Sequence, residues 1–167
     1  MIKRLFVLVV AAVALRITGL LPFETGDVAR LKPVETLVVF AEHGEVVLNW
    51  EEGSGRGNDW DAALEDLRQS AEGGLFLKTA EQIVLCGGAE TLLQKIVRSE
   101  ALRPAATVCI CYDQTPDPKQ VGKYLSAHPS ELTLQQIRAA QLRGEPVELP
   151  VLTKTKGGWR LDGANNR

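Results

Sequence analysis

Gly53-Ser54-Gly55-Arg56-Gly57 is the first stretch of this chain whose residue types and spacing could do chemistry. It lies between a strand-like run and a helix-like one, where backbone N–H groups at a helix start can cradle an anion. A dinucleotide fingerprint needs a glycine where Asn58 stands, and no Gly-Lys-Ser/Thr follows, so the segment reads as a flexible connecting loop. Gly87-Gly88 also joins strand to helix, and two glycines alone signal a tight turn. Glu51-Glu52 and Glu65-Asp66 are the paired carboxylates that general acid/base work would need. Successive residues on a helix do not face one another, so Glu65 and Asp66 cannot easily share a proton and read as a solvated face. His43 and His128 stand beside turn residues with no nucleophile-elbow motif, as exposed loop histidines would.

Three cysteines, Cys86, Cys109 and Cys111, form no CxxC pair, and the chain has 2 histidines, so no zinc site is expected. Cys86 can pair with Cys109 or Cys111 if their strands are neighbours; the simpler reading is buried thiols acting as small hydrophobes. Trp60 fits a core face. Trp50 and Trp159 end or begin strands and are candidates for a contact surface, with core packing the default for each. On this reading there is no catalytic, cofactor-binding or metal-ligating residue to assign, no cofactor is expected, and the chain is not expected to be an enzyme.

The elements that must position these residues follow from periodicity. Val34–Ala41 is rich in β-branched residues, His43-Gly44 turns the chain, and Glu45–Trp50 returns it, so a hairpin is expected. Asn58 or Asp59 caps a helix with Trp60, Ala63, Leu64, Leu67 and Ala71 on one face, stopped by Gly73-Gly74. Gln82–Cys86 is a third strand. A helix carrying Leu92, Leu93, Ile96 and Val97 follows and ends at Pro104, with Arg98 and Arg103 toward the negative end of its dipole. Thr107–Tyr112 is a near-continuous apolar strand, typical of a central one. Strand, helix and strand in this length make a βαβ unit with parallel strands. Short helices are expected over Lys119–Ala127 and Leu132–Leu142, and a last hairpin from Val147–Thr153 and Trp159–Leu161 across Lys156-Gly157-Gly158. The expected fold is mixed α/β: one domain, a mixed sheet with one βαβ unit, and helices packed on it.

The N-terminus is of another kind. Lys3-Arg4 precedes Leu5–Leu15, an uncharged apolar run with the layout of an export signal. Counted to Phe23 the stretch has 19 residues interrupted by Arg16, which can snorkel to an interface. Ala12-Val13-Ala14 suits a signal peptidase but leaves little apolar sequence before it. The favoured reading is an uncleaved single-pass anchor over residues 1–23, with Lys3 and Arg4 inside and an extracytoplasmic domain over 24–164; residues 165–167 are a tail. If the signal is cut, the domain is secreted. Beyond residue 23 the chain holds 16 basic and 21 acidic residues without a basic stripe. That argues against nucleic acid and against an electrostatic grip on anionic lipid.

The order of these elements, with LFLKTAEQIVLCGG at Leu75–Gly88, then a helix, then SEALRPAATVCICY at Ser99–Tyr112, and VELPVLTKTKGGWRLDGA over 147–164, resembles the N-terminal domain of the Ger(x)C family. Those proteins are the C-subunit lipoproteins of bacterial spore germinant receptors. The chain departs from the family in three ways: Leu20 stands where the lipid-bearing Cys would be, Leu21-Pro22 replaces the Trp-Asp pair, and the family's further domains are missing. The resemblance implies a truncated relative, a membrane-anchored, non-enzymatic scaffold beside integral-membrane subunits, with a role in germination or at the spore or cell envelope. The alternative is an exported α/β domain that binds a small anion or phosphate through the Gly53–Gly57 segment; a small-molecule ligand is the less favoured reading.

Overall fold

Near-continuous burial over the first residues of Thr36–Glu42, on both faces, makes that segment a central strand, and the remaining elements assemble around it. The computed structural model describes residues 31–112 and 116–163; the expected anchor over 1–23 and the tail over 165–167 lie outside them. The strands are β1 (Lys32–Pro33), β2 (Thr36–Glu42), β3 (Glu45–Trp50), β4 (Gly53–Gly57), β5 (Leu75–Phe76), β6 (Gln82–Cys86), β7 (Thr107–Cys111), β8 (Val151–Thr155) and β9 (Gly158–Asp162). The helices are α1 (Trp60–Ser70), α2 (Leu93–Arg98), α3 (Pro118–Ala127) and α4 (Leu134–Arg143). Seven strands form one mixed sheet in the order β4-β3-β2-β6-β7-β8-β9, and β1 and β5 pair separately. The described residues thus make one mixed α/β domain.

The expected hairpin forms. β2 and β3 pair from Val38↔Asn49 to Glu42↔Glu45, and the turn places His43 and Gly44 at positive φ (53° and 81°), as tight hairpins require. The βαβ unit forms as well: β6 and β7 run parallel in register from Gln82↔Thr107 to Cys86↔Cys111. Its helix is shorter than the apolar pattern suggests, because a 3₁₀ turn over Ala89–Leu92 leads into α2. Asp117 caps α3 with Pro118 at its first position, and a Thr133–Gln136 capping box starts α4, so each begins where its cap allows. A second parallel crossover, β7 through α3 and α4 to β8, is seen only in the fold. The last hairpin is shifted toward the C-terminus of the expected one, with Val151 opposite Asp162.

The sheet is buried on both faces. Leu37, Leu48, Ile83 and Val108 pack against Trp60 and Leu67 of α1, Ile96 of α2 and Ile137 of α4. On the other face Val38, Val84 and the three cysteines pack under Val121 and Leu125 of α3. The Trp50 indole is buried in the first core, so it is not a contact surface.

The largest departure from expectation is Gly53–Gly57, which is a strand and not a loop. It pairs antiparallel with β3 from Val46↔Gly57 to Trp50↔Gly53 and forms one edge of the sheet. Its glycines serve packing. A Cβ on Gly55 would stand 2.5 Å from the Leu67 Cα and 2.6 Å from the Ala63 carbonyl oxygen, and one on Gly57 would stand 2.6 Å from the Ala62 carbonyl carbon. Helix α1 therefore lies directly on the strand backbone. It also closes the edge: the Arg56 N–H donates to Asp66 Oδ2 (2.8 Å), and the Ser70 hydroxyl donates to the Ser54 carbonyl (3.3 Å). Those edge groups are thereby withdrawn from pairing with another chain.

On the opposite face Gly122 lets α3 settle onto β2, because a Cβ there would run into the Thr36 hydroxyl. In the orientation that satisfies all its partners, the Gln82 amide nitrogen donates to Thr36 Oγ1 (3.0 Å) and the Gly122 carbonyl (3.2 Å), while its oxygen accepts from Ser126. This network lies beneath α3 and fixes its position over the sheet.

Gly55→Ala must push the backbone of α1 off the strand, and we expect a loss of about 1–3 kcal/mol or more of unfolding free energy. Gly157→Ala, where an added Cβ meets nothing within 4 Å, should change stability by no more than about 0.5 kcal/mol. Urea denaturation of the two variants beside the parent chain measures both.

Candidate functional site

The residues singled out for chemistry are held mostly in structural work. Asp66 binds the Arg56 N–H, while Glu65 accepts from the Gln69 amide (2.9 Å), so the two carboxylates face different partners. Glu52 pairs with Lys32 at 2.8 Å, and the ammonium pulls its carboxyl below the usual range. Glu51 turns inward, half-buried, and accepts from the Thr36 N–H at 2.5 Å; burial pushes its carboxyl up. Neither pair shares a proton. Gly87 and Gly88 adopt positive φ (55° and 83°) and turn the chain tightly, with the Thr91 N–H and hydroxyl both donating to the Gly88 carbonyl. His43 is exposed at the hairpin turn. Among the described residues, no three His, Cys, Asp or Glu side chains gather as metal ligands would.

The three cysteines meet on one face of the sheet. Cys86 stands opposite Cys111 in the β6–β7 register, and the strands are neighbours, yet all three side chains are buried thiols. The hydrogen bond between Cys86 and Cys111 and then burial push the Cys86 thiol up, and burial pushes Cys109 up to about 12. A thiol held neutral is a poor nucleophile, so these groups act as packing.

The residues that do form a concave site are different ones. A cleft of about 700 Å³ opens between the end of α3, helix α4, the segment before β8 and the end of β9. Leu132, Val147 and Leu161 line it with apolar surface, and His128, Glu131 and Gln136 bring polar groups. Its frame is fixed by Tyr124: the Leu161 N–H donates to the Tyr124 hydroxyl (3.0 Å), and the Tyr124 ring stacks on His128 with centroids 4.6 Å apart. The Tyr124 carbonyl lies 3.2 Å from His128 Nδ1 and can only accept there, so a neutral His128 keeps its lone pair on Nε2. Arg143 lines the cleft too and is held in a two-pronged pair with Glu145 (2.8 and 2.6 Å), which keeps the Glu145 carboxyl below its usual range. Mixed walls with few polar groups suit recognition of an organic ligand or a peptide segment. Of these residues only His128 was singled out in the sequence. The cleft draws on separate segments of the chain, and no local pattern marks it. Trp159, the remaining tryptophan, packs partly buried against the cysteine-lined core, with the Lys154 ammonium 5.6 Å from its ring centroid.

Comparison of the chain with protein-family models, curated proteins and solved structures finds no match.

The buried thiols make stability depend on pH. A thiol with a raised folded value stays protonated where the unfolded chain has lost its proton. Its contribution is complete below the ordinary thiol value of about 8.5 and is lost as pH climbs toward the Cys109 value of about 12. We expect Cys109→Ala to flatten the fall in unfolding free energy by about 1.4 kcal/mol per pH unit above about pH 9. Urea denaturation at a series of alkaline pH values reads the two slopes.

Proposed function

We propose that this chain is a membrane-anchored, extracytoplasmic binding domain without enzymatic activity, with the scaffold role that its resemblance to Ger(x)C N-terminal domains implies. The observation that carries the binding reading is the cleft between α3, α4 and β9, with apolar walls and a few fixed polar groups. The tether rests on the run Leu5–Leu15 behind Lys3-Arg4. No helix of the described residues is long and apolar enough to cross a membrane. The partners on this reading are integral-membrane subunits, in spore germination or at the spore or cell envelope, and the cleft takes a segment of one of them. The alternative use of Gly53–Gly57 as an anion loop has lost its support, because that backbone pairs with β3 and is covered by α1.

Fractionating the producing cells and sequencing the N-terminus tests the tether: the intact chain should sit in the membrane pellet with residue 1 or 2 retained. A photo-crosslinking side chain at position 136 should join the domain to an integral-membrane protein identified by mass spectrometry, and one at the hairpin position 45 should not. Intact chain free in the cytosol, or turnover of a small molecule by the purified protein, overturns the reading.

A further inference from the structure

A second concavity, of about 580 Å³, lies on the other side of α4 from the cleft, below the starts of β6 and β7. Four cations line it, each from a different part of the chain: Lys78 after β5, Arg98 at the end of α2, Arg103 in the link before β7, and Arg138 on α4. Glu100 is the acid among the lining residues. Arg103 is also 3.6 Å from Glu81, whereas Lys78, Arg98 and Arg138 make no ion pair within the described residues. In a chain whose acids outnumber its bases, 21 to 19, this is a local reversal of charge.

The link and α4 are held in one frame. The Gln135 N–H donates to the Pro104 carbonyl (2.9 Å) and the Leu134 N–H to the Ala106 carbonyl (2.9 Å), so the backbone segments that carry Arg103 and Arg138 are held together. The Arg103 side chain is 37% exposed, and its Nε is enclosed with no acceptor among the described residues. An oxyanion therefore meets the outer Nη groups of the guanidinium, whose charge is shared over the whole fork. The helix dipole accounts for Arg98 at the end of α2 but not for the other three. Val97, Leu102 and Leu134 supply apolar floor beside the charges, room for more than a bare inorganic ion.

We propose that this groove binds a phosphate-bearing anion, a phosphate ester or a diphosphate with a small organic body, on Lys78, Arg98, Arg103 and Arg138. The proposal does not depend on the cleft reading, because the two concavities lie on different sides of α4 and share no cation. Phosphate can come from a soluble metabolite or from a lipid headgroup, and the same chemistry serves both.

The test uses the full chain in non-ionic detergent, with titrations of pyrophosphate and of glycerol phosphate followed by calorimetry and thermal melts. At least one should bind saturably and raise the melting temperature. Stronger binding of pyrophosphate points to a soluble diphosphate; stronger binding of glycerol phosphate points to a headgroup. The double variant Arg98→Gln with Arg138→Gln should weaken binding tenfold or more, while its ligand-free melting temperature stays the same or rises as repulsion is relieved. Arg160→Gln, whose partner is Asp162 on β9, should bind like the parent chain. The proposal is overturned by absence of saturable binding up to 10 mM (roughly the weakest range of specific binding), or by equal binding in the double variant, or by equal loss in Arg160→Gln.

Discussion

Two helices of this domain rest on the sheet at places where no β-carbon fits, and the rest of the architecture follows from that close approach. Under α1, Gly55 and Gly57 leave the strand backbone bare, so the helix backbone comes within reach of it. Under α3, Gly122 does the reverse: the missing side chain is on the helix, and the Thr36 hydroxyl occupies its place. Interiors packed at crystal-like density transmit such constraints, because a displaced helix would open a gap against every neighbour it touches. Trp60, Ala63, Leu64 and Leu67 are all buried, and they reach the first core only because α1 sits this low.

The same approach explains why so many polar groups serve the fold. Asp66 and Ser70 stand close enough to the outer strand to bind its free N–H and carbonyl, which lets a five-residue glycine-rich strand end the sheet without inviting another chain. On the other face, the Thr36, Gln82 and Ser126 side chains satisfy one another beneath α3, and three thiols pack beside them as neutral, weakly polar groups. Burial makes Cys86 and Cys109 poor nucleophiles for the same reason that it makes them good packing: the charged form is the one that a low-dielectric surrounding disfavours.

Helix α4 divides the two concave surfaces. Gln136, Ala140 and Arg143 face the cleft toward α3 and β9, and Gln135 and Arg138 face the cationic groove toward α2. A helix capped at Thr133 and Gly144, and tied at its start to the Pro104 and Ala106 carbonyls, is a rigid wall for both. The backbone of such a wall need not be ordered when a ligand arrives, which favours binding.

Local pattern determined a good deal. The hairpin of β2 and β3, the parallel pair of β6 and β7, and the apolar face of α1 were all legible because hydrophobic period and turn residues act over a few neighbours. Glycine was ambiguous at Gly53–Gly57: the residue that frees a loop is also the residue that lets a helix touch a strand, and only the position of α1 distinguishes the two uses. The β7-to-β8 crossover and the burial of Trp50 were likewise settled by long-range pairing. The sites were the least legible part. Lys78, Arg98, Arg103 and Arg138 are spread over sixty residues with acids between them, so the charge pattern along the chain shows no basic stripe. The sequence by itself determined the β2–β3 hairpin, the parallel β6–β7 pair and the apolar face of α1; the tertiary structure decided that Gly53–Gly57 is a strand and which distant charges share a groove, because close approach and electrostatic meaning depend on distance in space and the chain records only distance along itself.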